Sequence, residues 1–289
     1  MEKQTLEQFL LQDCSKQTVK SYLFSINHFL KMNPRAKRYK YQHIVGYMEE
    51  IGQKQSNAKY RVAILSAIKK YYDYLIFSGH RTDHPCKQLN IKVNSNQAIQ
   101  VQELFSSEEL QLLMNRENRY QHLDTRNHVL LSLLIYQGLT SNEIARLEVK
   151  DVDLDGGTIK IKASTNLNKR TLGLEAKQIK LFAKYIDETR EAQLRCQTDK
   201  LILTKLGKPI KVDSIHSVIE PLKPLFPDRD LNPKTIRMSV ICNWLNTGNK
   251  LPLERVQYQS GHKWPGTTEK YIKVNNLLEV ELINRYFPI

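Results

Sequence analysis

Apolar residues recur at three- and four-residue intervals through most of this chain, and strict two-residue alternation occurs in only one place. The first helical stretch is short, Thr5 to Leu11. From Lys16 to Met32, the residues Val19, Tyr22, Leu23, Ile26, Phe29 and Leu30 share one helical face, and Asn33-Pro34 ends the run. His43 to Ile51 predicts a third helix. Ala58 to Ser78 predicts a long fourth, with Ile64, Ile68, Tyr71, Tyr72 and Leu75 inward and Gly79 as a closing residue.

After Cys86 the periodicity breaks down, and polar Asn90 to Gln102 reads as a linker. A second helical region opens at Ser106-Ser107-Glu108-Glu109, which fits a capping box. Arg126 to Gln137 predicts a buried helix, its centre from Val129 to Leu134 being nearly all apolar. Thr140 to Leu147 predicts another, with capping-box spacing from Thr140 to Glu143. The alternation lies in Thr158 to Ala163, which puts Ile159, Ile161 and Ala163 on one face and lysines on the other. A polar turn, Ser164 to Asn168, leads to Arg170-Thr171-Leu172-Gly173-Leu174, so a basic hairpin is expected inside a helical domain. Helices are expected over Glu175 to Cys196, Val212 to Leu225, Thr235 to Thr247, Leu253 to Ser260 and Asn275 to Tyr286. The fold class is therefore mainly α, with a helical domain over 1–90, a linker over 91–104 and a mostly helical second domain with a small β-hairpin over 105–289.

At 289 residues the chain is long enough for two domains with sizeable cores. The longest apolar stretch, Val129 to Tyr136, is too short to cross a bilayer, and Met1-Glu2-Lys3-Gln4 lacks the plan of a signal peptide. A cytoplasmic protein without a membrane partner is expected. Cys14, Cys86, Cys196 and Cys242 are scattered singly, with neither metal-ligand spacing nor a disulfide framework. Charge changes the picture more. The formal net charge is +14, and the first 95 residues hold 16 of the 44 basic but only 7 of the 30 acidic residues. A field of that sign suits a polyanion, because displaced counterions supply sequence-independent affinity for DNA.

The candidate chemistry lies near the end of the chain. Arg237 sits in Lys234-Thr235-Ile236-Arg237, followed by Gly261-His262 and, nine positions after that histidine, Tyr271. A phenol oxygen can attack phosphorus, a guanidinium can hold two phosphate oxygens, and an imidazole can hydrogen-bond a third. These motifs resemble the active-site end of the tyrosine recombinases, the phage-integrase family. The resemblance covers essentially the whole chain. Ser15 to Tyr22, the helix from Ala58 to Phe77 and His84-Pro85 are similar to that family's core-binding, SAM-like domain, and Gln137-Gly138-Leu139-Thr140-Ser141-Asn142-Glu143-Ile144 resembles its first catalytic box.

The resemblance implies two helical domains that clamp a DNA duplex and a tyrosine that breaks one strand. A 3′-phosphotyrosyl link and a free 5′-hydroxyl result, and a 5′-hydroxyl of a partner duplex then displaces the tyrosine. Neither ATP, nor a hydrolytic metal, nor any other cofactor is implied. Tyr271 would be the nucleophile, Arg237 the phosphate clamp and His262 a hydrogen-bonding or proton-handling group. Lys234 stands where most of the family has a histidine.

Thr140 departs from the pattern, since the family has an arginine after Gly-Leu. Loss of one preorganised donor costs on the order of 100- to 1,000-fold in rate, about 3–4 kcal/mol. The local role of Thr140 is to cap the following helix. The hairpin departs as well, placing Thr165 near the expected turn lysine. Lys162, Lys169 or Arg170 could cover the missing charge, or could instead contact the DNA backbone or solvent. Arg146 is a poorer substitute, because six residues along a helix is about 240° around from Thr140.

Two functions follow as expectations. One is a site-specific DNA recombinase of a mobile element, assembled as a dimer to tetramer on double-stranded DNA, with accessory DNA-bending or directionality proteins as open partners. The other is a DNA-binding accessory factor or regulator that has lost strand transfer.

Overall fold

The computed structural model describes residues 4–54, 57–92, 103–115, 123–246 and 250–272. Most of the expected linker, the expected helix from Asn275 to Tyr286 and its apolar residues Leu277, Leu278, Val280, Leu282 and Ile283 lie outside the described residues. The chain divides into two compact units, Met1–Asn96 and Gln97–Ile289.

The first unit is helical: α1 (Leu6–Asp13), α2 (Lys16–Met32), α3 (Tyr41–Lys54) and α4 (Ala58–Phe77), with a 3₁₀ turn at Ala36–Arg38. Thr5 and Gln8 form a reciprocal capping box on α1, and Ser15 caps α2. α3 extends past the expected span at both ends. α2 lies against α4, where Ile26 and Phe29 join Ile64, Ile68, Tyr71 and Tyr72 in one core cluster. The Tyr72 hydroxyl is buried with its partner, donating to the Ala36 carbonyl at 2.8 Å. Gly79, at φ +72°, closes α4 and lets the His80 N–H reach back to the Leu75 carbonyl.

The second unit is built around α6 (Asp124–Ile135), which is buried on nearly every face. α5 (Ser107–Met114), α8 (Ala176–Lys184) and α11 (Pro233–Asn246) pack against it. α7 (Ser141–Arg146) follows α6. A small antiparallel sheet runs in the order β1 (Val152–Asp153), β2 (Thr158–Ile161), β3 (Arg170–Gly173). Register pairs Ile159 with Leu172 and Ile161 with Arg170, so the three apolar residues enter the core while Lys160 faces outward. The expected hairpin is present. The two-residue β1 carries too little pattern to be seen in sequence.

Two expected helices are broken. The run from Glu175 ends α8 at Lys184, passes through a π-helical turn at Tyr185–Arg190 and closes with α9 (Glu191–Gln193). The wider turn brings Tyr185 and Arg190 inward together. There the Tyr185 hydroxyl donates to the Leu201 carbonyl and Arg190 donates to the carbonyls of Thr198 and Lys200. The run from Val212 keeps α-geometry only through α10 (Val212–Ile219) and tightens to a 3₁₀ helix over Glu220–Leu225. Pro221 and Pro224 supply no N–H there, so a continuous α-ladder is impossible. α12 (Leu253–Ser260) is present over its expected span and ends at Gly261, φ +74°. Among the described residues no helix is long and apolar enough to cross a membrane.

Candidate active site

Four segments of the second unit meet at one buried carboxylate. The first is the N-terminus of α7, where the capping box is present: Glu143 Oε2 accepts from the Thr140 N–H and the Thr140 hydroxyl, each at 2.9 Å. Capping thus uses one oxygen of Glu143. Its other oxygen, Oε1, accepts from Arg170 Nη1 at 2.6 Å, in a pair whose side chains are 0% and 3% exposed. Burial opposes ionisation of Glu143. The hydrogen bond and charge of Arg170, the Thr140 amide and the charge of Arg237 outweigh it and hold the carboxyl below its ordinary value.

Arg237 approaches the same carboxylate, its Nη1 lying 4.0 Å from Glu143 Oε2. The start of α11 fixes its place. Asn232 caps that helix by accepting from the Lys234 and Thr235 N–H groups, and the Thr235 hydroxyl donates to the Asp230 carbonyl. One and a half turns on, buried Arg237 donates to the Gly138 carbonyl through Nη1 and to the Ser260 carbonyl through Nη2 at 2.6 Å. Burial pushes its guanidinium pKa down, Glu143 opposes that and Arg170 adds to it.

The turn after α12 supplies the third group. Gly261 needs its left-handed φ, and it also leaves room for Arg170: a Cβ there would stand 2.4 Å from Nη1 and 2.9 Å from Cζ. The hairpin tip is stitched to this turn. Asn168 N–H donates to the Gly261 carbonyl at 2.8 Å, Leu167 bridges to His262, and Lys263 Nζ donates to the Thr165 carbonyl at 2.8 Å. His262 is buried with Nδ1 2.9 Å from the hydroxyl of fully buried Thr268. Burial, then the charges of Arg237 and Arg170, push the imidazole down to about 4, so it is neutral at physiological pH.

Tyr271 is the fourth. It lies on the helical stretch 265–272, its ring stacked over His262 with centroids 6.0 Å apart and planes 18° apart. Burial raises the phenol pKa, Arg237 pulls it back down, and Cys242 adds to the rise.

The structure therefore brings Arg237, His262, Tyr271 and Arg170 together. Lys234 is exposed at the start of α11. Lys162 is held by Glu148 at 2.6 Å and Asp151 at 3.6 Å, Lys169 is exposed beside the hairpin tip, and Arg146 donates to the Ala163 carbonyl. Glu143 and Thr268 are the members that sequence reasoning misses. Glu143 is visible only as a cap, and its link to Arg170 spans 27 residues. Among the described residues no three His, Cys, Asp or Glu side chains converge to hold a metal ion.

The sequence model of the phage integrase family matches residues 103–277, and that of the phage integrase N-terminal SAM-like domain matches residues 6–79. Tyrosine recombinase XerC of Lactobacillus delbrueckii subsp. bulgaricus is 26% identical over 231 residues, covering 78% of this chain and 75% of its own. Tyrosine recombinase XerC of Staphylococcus epidermidis is 23% identical over 267 residues, covering 91% and 88%. Among solved structures, the XerH site-specific recombinase bound to its difH substrate superposes with a TM-score of 0.73 at 16% identity, over 94% of this chain and 82% of that one. A lambda integrase dimer bound to a COC′ core site gives 0.67 at 12% identity, over 92% and 74%. These structural likenesses are likenesses of fold.

Proposed function

The chain belongs to the phage integrase family, and from that premise we propose that it is a site-specific DNA recombinase acting through a 3′-phosphotyrosyl intermediate. The observation that carries the reading is the convergence of Tyr271, His262 and two buried guanidinium groups, Arg237 and Arg170, from segments distant in sequence.

Tyr271 Oη attacks phosphorus, the bond to the 5′-oxygen breaks, and the leaving oxygen takes a proton to become a hydroxyl. In the second half-reaction a 5′-hydroxyl of the partner duplex attacks the phosphotyrosine and returns the proton to the phenol. One P–O bond is exchanged for another in each half, so no external energy source enters. The desolvated phenol must lose its proton, and Arg237 is the positive neighbour that makes this easier. Arg237 spends two of its five N–H donors on the Gly138 and Ser260 carbonyls, which lock the fork and leave three for the phosphate. His262, being neutral, acts as a hydrogen-bonding partner rather than a fixed charge. Exposed Lys234 supplies positive charge and a proton donor from the start of α11.

Arg170 covers for Thr140. Its Nε donates to the Gln259 carbonyl at 2.7 Å and its Nη1 to Glu143, while Nη2 is buried and unpartnered. A buried donor without a partner is costly in a resting protein and useful where charge develops on a phosphate. Pairing of the same guanidinium with Glu143 favours the second reading, an accessory DNA-binding factor, because that carboxylate offsets the positive charge.

Covalent trapping on a nicked suicide duplex bearing the parent element's end sequence separates the two. A denaturation-resistant adduct with wild type and none with Tyr271→Phe supports the recombinase. Tight binding without any adduct supports the accessory factor. On the first reading, two duplexes and four active sites assemble on double-stranded DNA, in the setting of a mobile element.

A further inference from the structure

We propose that Trp264 is a DNA-contacting residue whose indole stacks on a nucleotide within a few steps of the phosphate bound at Tyr271. The proposal rests on the strand-transfer reading for its location but not for its test. Trp264 is 74% exposed, a costly state for the largest apolar side chain, and residues of this type collect where a partner covers them. The residues around it, Lys263, Pro265 and Gly266, are exposed with it.

Hydrogen bonds fix the backbone on both sides of it. The Thr267 N–H donates to the Trp264 carbonyl at 3.0 Å, and Pro265 opens the helical stretch 265–272 that carries Tyr271. On the other side, the Leu167–His262 bridge and the Lys263–Thr165 hydrogen bond pin the preceding turn to the hairpin. Tyr271 follows Trp264 by seven positions, about 10 Å of helix axis, a length equal to roughly three base steps of a duplex strand.

The exposed charges nearby decide the partner. Lys263 and Lys270 are exposed on the turn and the helical stretch flanking Trp264, against Glu269, and Lys169 is exposed at the hairpin tip to which that turn is pinned. A basic rim with a projecting flat aromatic fits a nucleic acid strand, where the lysines meet phosphates and the ring wedges against a base at a partly unstacked step. An apolar protein partner would bury those ammonium groups at a cost.

The chain has two tryptophans, so Trp244→Phe leaves Trp264 as the sole tryptophan, excited selectively over the tyrosines at the red edge of the absorption band. With Tyr271→Phe added to prevent cleavage, the protein is titrated with a duplex recovered by binding selection against wild type. The expected result is strong quenching of Trp264 emission at saturation. Trp264→Ala in the same background should weaken binding on the order of tenfold or more, and Trp264→Phe should retain most of the affinity. Unchanged emission with duplex bound, shown by a mobility shift, overturns the proposal. So does a blue shift that grows with protein concentration without DNA, which would mean that a second copy covers the ring. Quenching together with a wild type that never forms an adduct sinks the strand-transfer reading and leaves the contact standing. A protein that holds no duplex sinks both.

Discussion

Substituting Gly261 by alanine tests whether the site is one mechanical unit. Two costs combine. The residue sits at φ +74°, where a Cβ is strained by about 1–2 kcal/mol. The new Cβ would also stand 2.4 Å from Arg170 Nη1, so the guanidinium must retreat by about 1 Å to reach ordinary contact. Arg170 has nowhere to go without stretching its 2.6 Å bond to Glu143 or its 2.7 Å bond to the Gln259 carbonyl. Loss of one charge-assisted hydrogen bond costs about 1.5–3 kcal/mol, so the expected destabilisation is about 2.5–5 kcal/mol. Gly157→Ala is the control within the same unit, because φ there is +58° and the Cβ would meet only the Ile179 methyl at 3.3 Å. It should cost about 1–2 kcal/mol. Trp244 and Trp264 both lie in the second unit, so tryptophan emission during urea unfolding reports that unit alone. If Gly261→Ala costs no more than Gly157→Ala, Arg170 is not pinned as described, and its assignment as the second phosphate-binding guanidinium fails with it.

The remaining predictions address charge and chemistry. Arg170→Lys keeps the charge but loses the fork, and should slow cleavage of the suicide duplex by about 100- to 1,000-fold with DNA binding retained; an unchanged rate would show that another group replaces Thr140. Tyr271→Phe should abolish the covalent adduct and leave duplex affinity nearly unchanged, since one hydroxyl is lost while the phosphate contacts persist; a matching loss of affinity in a mobility-shift titration contradicts the nucleophile assignment. The His262 pKa is depressed from 6.5 to about 4 on folding, so the unfolded chain binds the extra proton between those values. Stability should therefore fall as pH drops from about 6.5 to 4, by about 3 kcal/mol from this group, and urea midpoints of His262→Asn should show that slope flattened. Glu143, also held below its ordinary value, contributes stability that is present above its unfolded pKa and lost as pH falls through the lower folded one. Glu143→Gln should lose that acid-side component and deepen the one from His262, because the Glu143 charge opposes the depression of that imidazole.

Much of the fold is legible because its determinants are local. The apolar face of α2, the Thr140–Glu143 box and the alternation of Ile159 and Ile161 each act within one or two turns or a few strand positions. The prolines that interrupt the run after α10 are plain in the sequence, yet helical periodicity around them hides their effect. The π turn at Tyr185–Arg190 has no such marker; it exists because Tyr185 and Arg190 both find carbonyl partners in residues 198–201.

By itself the sequence determined two helical units, one basic hairpin and the spacing of Arg237, Gly261-His262 and Tyr271. Only the tertiary structure decided that Arg170, rather than Lys162 or Lys169, stands beside Arg237, and that Glu143 joins the two guanidinium groups. The reason is range. Helix caps and face periodicity are satisfied within about four residues. The Arg170–Glu143 pair spans 27 positions and the Arg237–Gly138 bond spans 99, and both depend on how the hairpin tip meets the turn after α12.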